Sequence, residues 1–289
     1  TDRVTGAGLD AETAEDAAQL VDHEHPRKAL VAVARIAGLV LGRFDVDALR
    51  RAGRAAAEAR HTARRGVCAV RQAVHAAEAL GPENVLAVTA DSASLATGEL
   101  QHCRELADGW GLQWLSVRTE EMDDPDYLAN DSDRCARCKT ALMDQLLPIA
   151  ADRKATIVLG VNVDDLGDHR PGQHAAAKRG AVFPLVDAGL TKTEVRAVAR
   201  AEGLVVWDRP AMPCLSSRVP YGTPVSVSLL GRLDRAELAV RALGFGDVRV
   251  RHHDELTARV EVPLGDLIAA AERADEIVSA LDSLGYRYV

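Results

Sequence analysis

Aromatic side chains are scarce: three Phe, three Trp and four Tyr, 3% of 289 residues. A core must therefore be built mostly of Ala, Val and Leu. Positive charge is in deficit, with 35 Lys+Arg against 43 Asp+Glu and a formal charge of −8. That excludes a global electrostatic grip on nucleic acid and leaves room for a local basic pocket. Long apolar runs are missing as well. The longest, residues 29–41, is interrupted by Arg35 and falls short of the ~20 residues a membrane span requires. No secretory signal is expected. With only five cysteines, this favours a reducing, cytoplasmic compartment and a metal or catalytic role over a disulfide framework. What is present, 47% hydrophobic and 27% charged residues, fits a soluble globular protein of one large or two ordinary domains.

Charge and periodicity divide the chain. Seven acids and one base in residues 1–25 give way to eleven Lys or Arg and three acids in residues 26–71. Residues 1–66 are expected to form a helical or poorly ordered N-terminal segment. From residue 67 the pattern becomes regular. Residues 70–80, 98–110, 134–153 and 191–202 have helical spacing, the last with Thr191 as N-cap and Glu194 completing a capping box. Residues 84–90, 112–117 and 156–162 are short apolar runs that read as buried strands. The alternation predicts an α/β domain over residues 67–206, with a parallel sheet covered on both faces. Active sites of such sheets lie beyond the carboxyl ends of the strands. After Trp207 the pattern changes to helix 225–243, strands 247–253 and 256–262, helix 264–284 and a terminal strand. Residues 207–289 thus read as a smaller α+β domain.

Four constellations carry possible chemistry. Cys135-Ala-Arg-Cys138 has the spacing that brings two sulfurs to one metal or cluster. A redox pair or two buried cysteines fit it equally. Arg134, Arg137 and Lys139 surround it, and nearby positive charge favours thiolate. Cys214 sits in a Pro-flanked, hydroxyl-rich loop, Pro213-Cys-Leu-Ser-Ser-Arg218. Such a loop is costly to order unless it builds a site, although a lone cysteine is usually a small buried hydrophobe. Together Cys135, Cys138 and Cys214 suffice for three irons of a four-iron cluster with the fourth iron open. A zinc site would take its fourth ligand from His252 or His253. Cys68 and Cys103 have no partner spacing and read as structural. The third constellation is Gly160-Val-Asn162-Val-Asp164-Asp165-Leu-Gly-Asp168 after a buried strand, followed by Arg170-Pro-Gly172. Its carboxylates suit Mg2+ or a nucleotide, or form a solvated turn; Arg170 suits phosphate. The fourth is Arg249-Val-Arg251-His-His253. In a strand it puts two guanidinium groups on one face, suited to phosphate or carboxylate or to solvent.

Six segments in order resemble the LarE family of ATP-dependent sulfur transferases. They are residues 89–92 (with Asp91 and Ser92), 133–139, 160–172, 184–190, 207–218 and 249–253, spread over residues 67–289. The resemblance implies a Rossmann-like ATP-pyrophosphatase (PP-loop) domain, of the adenine nucleotide alpha hydrolase type, then a smaller domain. ATP and Mg2+ would activate a carboxylate of a pyridinium-biscarboxylate mononucleotide by adenylation. Sulfur would then displace AMP, a step in making the nickel-pincer nucleotide. Cys214 aligns with the sulfur-donating cysteine of the family. Cys135 and Cys138 match the branch in which a CxxC joins it around a [4Fe-4S] cluster. By the same resemblance Gly66, Asp91, Ser92, Gly160, Asn162, Asp164, Asp165 and Arg170 belong to the nucleotide site. Ser217, Arg218, Glu237, Arg249 and Arg251 would line the substrate. A homo-oligomer working on a small nucleotide, with no nucleic-acid or membrane partner, is expected.

One segment departs from the family. Where it has Ser-Gly-Gly-Val-Asp-Ser, whose amides and hydroxyls cradle pyrophosphate, residues 64–69 read Arg-Arg-Gly-Val-Cys-Ala, keeping only Gly66 and Val67. Residues 58–63 are not strand-like either. The apolar residues 29–34 offer a substitute strand that no Ser-Gly-Gly follows. Two explanations stay open: a degenerate homologue with reduced or absent ATP turnover, or Arg64 and Arg65 gripping phosphate by charge. Thiolation of another small metabolite also remains open, because fold and activation chemistry do not fix the acceptor.

Overall fold

The computed structural model describes residues 30–32, 39–41, 68–167, 171–204, 206–208 and 213–289, with side chains from residue 73 onward. Gly66, Asp168, Arg170 and the Arg64–Val67 segment lie outside the described residues.

The strands β1 (Leu30–Ala32), β2 (Leu39–Leu41), β3 (Val85–Asp91), β4 (Gln113–Arg118) and β5 (Thr156–Val158) make one sheet, ordered β1-β5-β2-β3-β4 with further β1–β2 and β1–β3 pairings. β3 and β4 pair in parallel, from Leu86 opposite Gln113 to Asp91 opposite Arg118. β1 runs parallel to both β3 and β5, so the apolar run expected to offer a substitute strand does enter the sheet. β2 is antiparallel to β1, β3 and β5, which corrects the expectation of an all-parallel sheet. The physical reason is length: only six residues separate β1 from β2 in sequence, fewer than the crossover of a dozen or more that parallel neighbours need.

β3 shows why the sheet is covered on both faces. Val85 and Ala87 pack with Ala73 and Ala76 of α1 (Cys68–Leu80) and Ala107 of α2 (Glu99–Gly109). Leu86, Val88 and Ala90 point the other way, onto Leu142, Met143 and Leu146 of α4 (Arg134–Arg153). Side chains alternate across a strand, so a continuous apolar run is the signature of burial on both sides. β5 is shorter than expected. After Val158 the chain bonds the Val182 carbonyl through Leu159 N–H, then turns into a 3-10 segment capped by Asn162.

Between β4 and α4 lies a short helix, α3 (Pro125–Leu128), N-capped by Asp124. Beyond β5 come α5 (Pro171–Lys178), α6 (Pro184–Asp187) and α7 (Lys192–Ala201). The capping box at α7 is formed: Thr191 Oγ accepts from Glu194 N–H, and Glu194 accepts from Thr191 N–H.

The C-terminal part has its own core. α8 (Val227–Ala242) sends Leu230, Leu233, Ala236 and Val240 against Val250 of β6 (Arg249–His252) and Ala258 of β7 (Ala258–Glu261). β6 and β7 form an antiparallel hairpin. The single helix expected over residues 264–284 is instead two, α9 (Leu267–Glu272) and α10 (Ala274–Asp282). The break falls at Arg273, whose guanidinium donates to the Leu243 carbonyl just past α8 and pairs with Glu276. Tyr127, Leu215 and Val219 belong to this second core, so α3 and the Cys214 turn carry it toward the sheet.

α5 crosses the first turn of α4 closely. A methyl group on Gly172 would lie 2.7 Å from the Cys135 carbonyl oxygen and 2.7 Å from Lys139 Cγ. Backbone cannot yield as a flexible side chain can. Gly172→Ala is therefore expected to destabilise the fold by about 1–3 kcal/mol, read as a lower midpoint in urea unfolding. An unchanged midpoint would contradict the close crossing.

Candidate functional site

Cys135 and Cys138 lie in the first turn of α4, where a spacing of three puts them on one helix face. Cys135 is exposed; Cys138 and Cys214 are partly covered. Cys214 caps a short 3-10 turn, Leu215–Arg218, and its carbonyl accepts from Ser217 N–H at 2.9 Å. The three thiols lie within one another's electrostatic reach: Cys135 and Cys214 both disfavour a thiolate at Cys138, and Cys135 does so at Cys214.

The Cys214 turn is fixed from three sides. Ser94 Oγ, Tyr127 Oη and Ser216 Oγ form a closed triangle of 2.6, 2.8 and 2.9 Å, buried from water. Leu215 N–H donates to the Ser94 carbonyl at 2.9 Å. Arg134 Nη1 donates to the Ser216 carbonyl at 2.8 Å and also bonds Asn130. Asn130, at φ 61°, donates to the Pro220 and Thr223 carbonyls, each at 2.7 Å. On the far side Arg218 Nη1 donates to the Pro213 carbonyl at 2.7 Å.

Arg218 and Glu237, both expected to face substrate, face each other. Arg218 Nε lies 2.7 Å from Glu237 Oε1, with side chains 1% and 0% exposed. Glu237 also accepts from Arg241 at 2.8 Å and from Val250 N–H at 3.2 Å. Ser217 Oγ accepts from Arg218, and the Ser217 carbonyl accepts from Arg251 at 2.9 Å. Arg249 and Arg251 share a face of β6, half-buried. Glu261 holds Arg251 at 2.7 Å and Arg259 at 2.6 Å, and these two arginines hold its carboxyl below the usual range, chiefly through the Arg251 hydrogen bond.

At the sheet edge, Asp91 ends β3, exposed, and Ser92 follows it. Ser92 donates to Glu121 and accepts from Ser94 N–H. The loop after Gly160 is engaged with α7. Asp165 accepts from Asn162 Nδ2 at 2.6 Å and pairs with Lys192 at 2.5 Å, while Asp164 accepts from Lys192 N–H at 2.8 Å.

The expected lowering of thiol pKa by the cations around the CxxC is corrected at Cys138, and Cys214 behaves in the same way. Burial pushes the Cys138 and Cys214 thiols up, outweighing the opposing charge of Lys139 at Cys138 and of Arg134 at Cys214. Arg137 is taken up by Asp126 at 2.8 Å and Asp133 at 3.2 Å. Among the described residues no three His, Cys, Asp or Glu side chains converge on a single ion. A zinc ion needs that convergence; three thiols each on a different iron stand further apart. His252 is buried, with Nδ1 3.1 Å from Tyr286 Oη, engaged in the C-terminal core.

Ser94, Tyr127, Ser216 and Glu121 were not legible as site residues. The one usable signal was the density of hydroxyls around Cys214 and after Asp91. Tyr127 lies in a segment without helical or strand periodicity.

A mixed sheet covered by helices, followed by a helix-backed hairpin with its own core, defines the class: an α/β protein with a smaller α+β part. No protein-family model matches the chain. It is 41% identical over 210 residues to an uncharacterized protein of Synechocystis sp., covering 72% of this chain and 78% of that protein. It is 35% identical over 218 residues to the pyridinium-3,5-bisthiocarboxylic acid mononucleotide synthase of Lactiplantibacillus plantarum, covering 74% and 78%. An uncharacterized protein of Methanocaldococcus jannaschii is 25% identical over 163 residues, 56% and 63% of the two chains. The chain belongs to the LarE family, of which that synthase is a member. Among the described residues no helix is long and apolar enough to cross a membrane.

Two outcomes follow from the geometry. At pH 8, Cys135 is expected to react with iodoacetamide well before Cys138 and Cys214, whose thiolate fractions burial suppresses; peptide mass spectrometry reads the order. Arg218→Met leaves a buried carboxylate short of its main partner and is expected to cost about 3–5 kcal/mol in urea unfolding. Adding Glu237→Gln is expected to recover part of that loss.

Proposed function

We propose that this chain performs LarE-type sulfur transfer: a carboxylate of a pyridinium-biscarboxylate mononucleotide is activated with ATP and converted to a thiocarboxylate for a nickel-pincer nucleotide. What supports the reading is that Cys135 and Cys138, from the start of α4, and Cys214, from a turn about 80 residues later, lie within one another's electrostatic reach. The relative named for bisthiocarboxylic acid synthesis supports the same chemistry.

A carboxylate is a poor electrophile. Its oxygen attacks the α-phosphorus of ATP, pyrophosphate leaves, and an acyl adenylate forms. Sulfur then attacks the carbonyl carbon, and AMP departs with the electron pair of the C–O bond. Arg249 and Arg251 would offer cationic contacts to the phosphate and the second carboxylate of the substrate. Ser217 borders them through the Arg251 bond to its carbonyl. Asp91, Ser92, Gly160, Asn162, Asp164, Asp165 and Arg170 would frame the nucleotide, with Mg2+ accompanying ATP.

The donor set fits a [4Fe-4S] cluster with three protein ligands, since three thiols share one locality and two are shielded from water. Such a group, when bound, supplies an open iron on which an extra sulfide can ride. The protein's own part is to oppose, through the Arg134 charge, the burial that disfavours thiolate at Cys214, and to fix the Cys214 carbonyl on Ser217 N–H. Arg218 and Glu237 act in this reading as positioning residues, because they are closed to solvent. Residues 67–206 and 207–289 serve as the nucleotide and substrate parts, assembled as a homo-oligomer.

A second reading rests on residues 64–69, which lack the hydroxyls and first glycine of a phosphate cradle. In it the thiol site persists while ATP turnover is impaired. One experiment separates the two. Protein reconstituted anaerobically with iron and sulfide is expected to bind about four irons with a broad visible absorbance, and Cys214→Ala to abolish it. Failure to bind iron with all three cysteines intact would remove the cluster. Substrate-dependent AMP formation supports the first reading; its absence in a cluster-loaded protein supports the second.

A further inference from the structure

Arg134 opens α4 one residue before Cys135, and it is 5% exposed. A buried guanidinium is costly unless its donors and its charge find partners. Its Nη1 bonds the Asn130 side chain and lies 2.8 Å from the Ser216 carbonyl oxygen. The Tyr221 ring centroid lies 5.4 Å from the guanidinium carbon. These partners are neutral, whereas Arg137, one turn of helix on, pairs with Asp126 and Asp133. The charge of Arg134 reaches the Cys214 thiol.

The bond to Ser216 has a particular place in the network. The hydroxyl triangle ties Ser216 to the loop after β3 and to α3, neither of which carries Cys135 or Cys138. Arg134 ties the same residue to the first turn of α4, which carries both. Asn130 braces the arginine. Its side-chain oxygen accepts from Arg134, its amide holds the Pro220 and Thr223 carbonyls at 2.7 Å each, and its own carbonyl accepts from Gly222 N–H at 3.2 Å.

We infer that Arg134, braced by Asn130, is the positioning residue that keeps Cys214 within reach of Cys135 and Cys138. This role deepens the sulfur-transfer reading and rests on it for its purpose: thiols from two segments share a cluster only if turn and helix are held in one register. The side chain suits the task. Its planar fork carries fixed donors, where lysine would keep the charge and a donor without the fork, and methionine the apolar stem alone.

The test treats the full chain, free of iron, with dibromobimane, a short reagent that joins two neighbouring thiols. Peptide mass spectrometry reads the share of reacted Cys214 that is bridged to Cys135 or Cys138. Taking the share of reacted thiol cancels the intrinsic reactivity of Cys214. The parent chain is expected to bridge. Arg134→Met should lower the bridged share by about tenfold, the scale of a lost hydrogen bond from a charged group, and Arg134→Lys should fall between the two. Arg137→Met, which removes a cation beside Cys138, should match the parent. Urea unfolding establishes that each variant is folded. Should Arg134→Met fail to fold, Asn130→Gly, which suits the left-handed backbone and removes the brace, decides by the same measure. No bridging in the parent, parent-like bridging in folded Arg134→Met or in its stand-in, an Arg134→Lys share no higher than that of Arg134→Met, or an equal loss in Arg137→Met would each overturn the role. Anaerobic iron loading of the parent separates this from the proposed function. A chain that bridges but binds no iron loses the cluster and keeps the positioning role. One that binds iron, with bridging unchanged by Arg134→Met, keeps the cluster and loses the role.

Discussion

Ser216 is where the two halves of the molecule are tied. Its hydroxyl closes a triangle with Ser94, from the loop after β3, and Tyr127, from α3, while its carbonyl takes a charged hydrogen bond from Arg134 at the start of α4. Each neutral hydrogen bond contributes about 0.5–1.5 kcal/mol net, and one to a charged group more. Together they set Cys214, two residues earlier, against the helix turn that bears Cys135 and Cys138. Thr97 adds a second tie, donating through its N–H and hydroxyl to Asp234 of α8. Polar bonds suit this task because they are directional; apolar packing alone would tolerate a sliding turn.

That anchoring has an electrostatic consequence. Ordering the Cys214 turn buries its thiol, and burial disfavours the thiolate that would be needed as a ligand or nucleophile. Arg134 opposes this, because the guanidinium that holds the Ser216 carbonyl also lies in the field of Cys214. One side chain thus couples turn position to sulfur charge. Reading Arg134, Arg137 and Lys139 as one cationic patch missed this. In sequence they are neighbours of the CxxC, but their partners differ: Arg134 holds the Ser216 carbonyl while Arg137 pairs with Asp126 and Asp133.

The sheet, its covering helices and the capping box at α7 were legible because they rest on local rules: alternating burial along β3, 3.6-residue spacing, and a Thr-x-x-Glu cap. Loop chemistry and spacing singled out Cys135, Cys138 and Cys214, whose mutual electrostatic reach only the structure shows. The hydroxyl triangle was not, since its members come from three distant segments and each alone looks ordinary. Arg218 and Glu237 entered as substrate-lining residues through the family resemblance, and their mutual burial, which shows that each satisfies the other, was not legible in the sequence. Arg273 defeated the reading of one C-terminal helix, because its partner carbonyl at Leu243 is 30 residues away.

The N-terminal strands separate what is interchangeable in such a fold from what is not. Leu30–Ala32 takes a place beside β3 and β5 with only apolar side chains to recommend it. A central strand asks for little more than backbone pairing and an apolar face. A phosphate cradle asks for glycine where backbone must approach the ligand, and for amides and hydroxyls aimed inward. Arg64 and Arg65 carry charge but neither of those features. A chain can therefore keep the sheet and clear membership of the family while residues 64–69 depart in sequence from the family's Ser-Gly-Gly-Val-Asp-Ser. Among the described residues, the Ser216 junction draws on residues 94–134 and 213–223, so the placement of the Cys214 turn rests on bonds made far along the chain from residues 64–69.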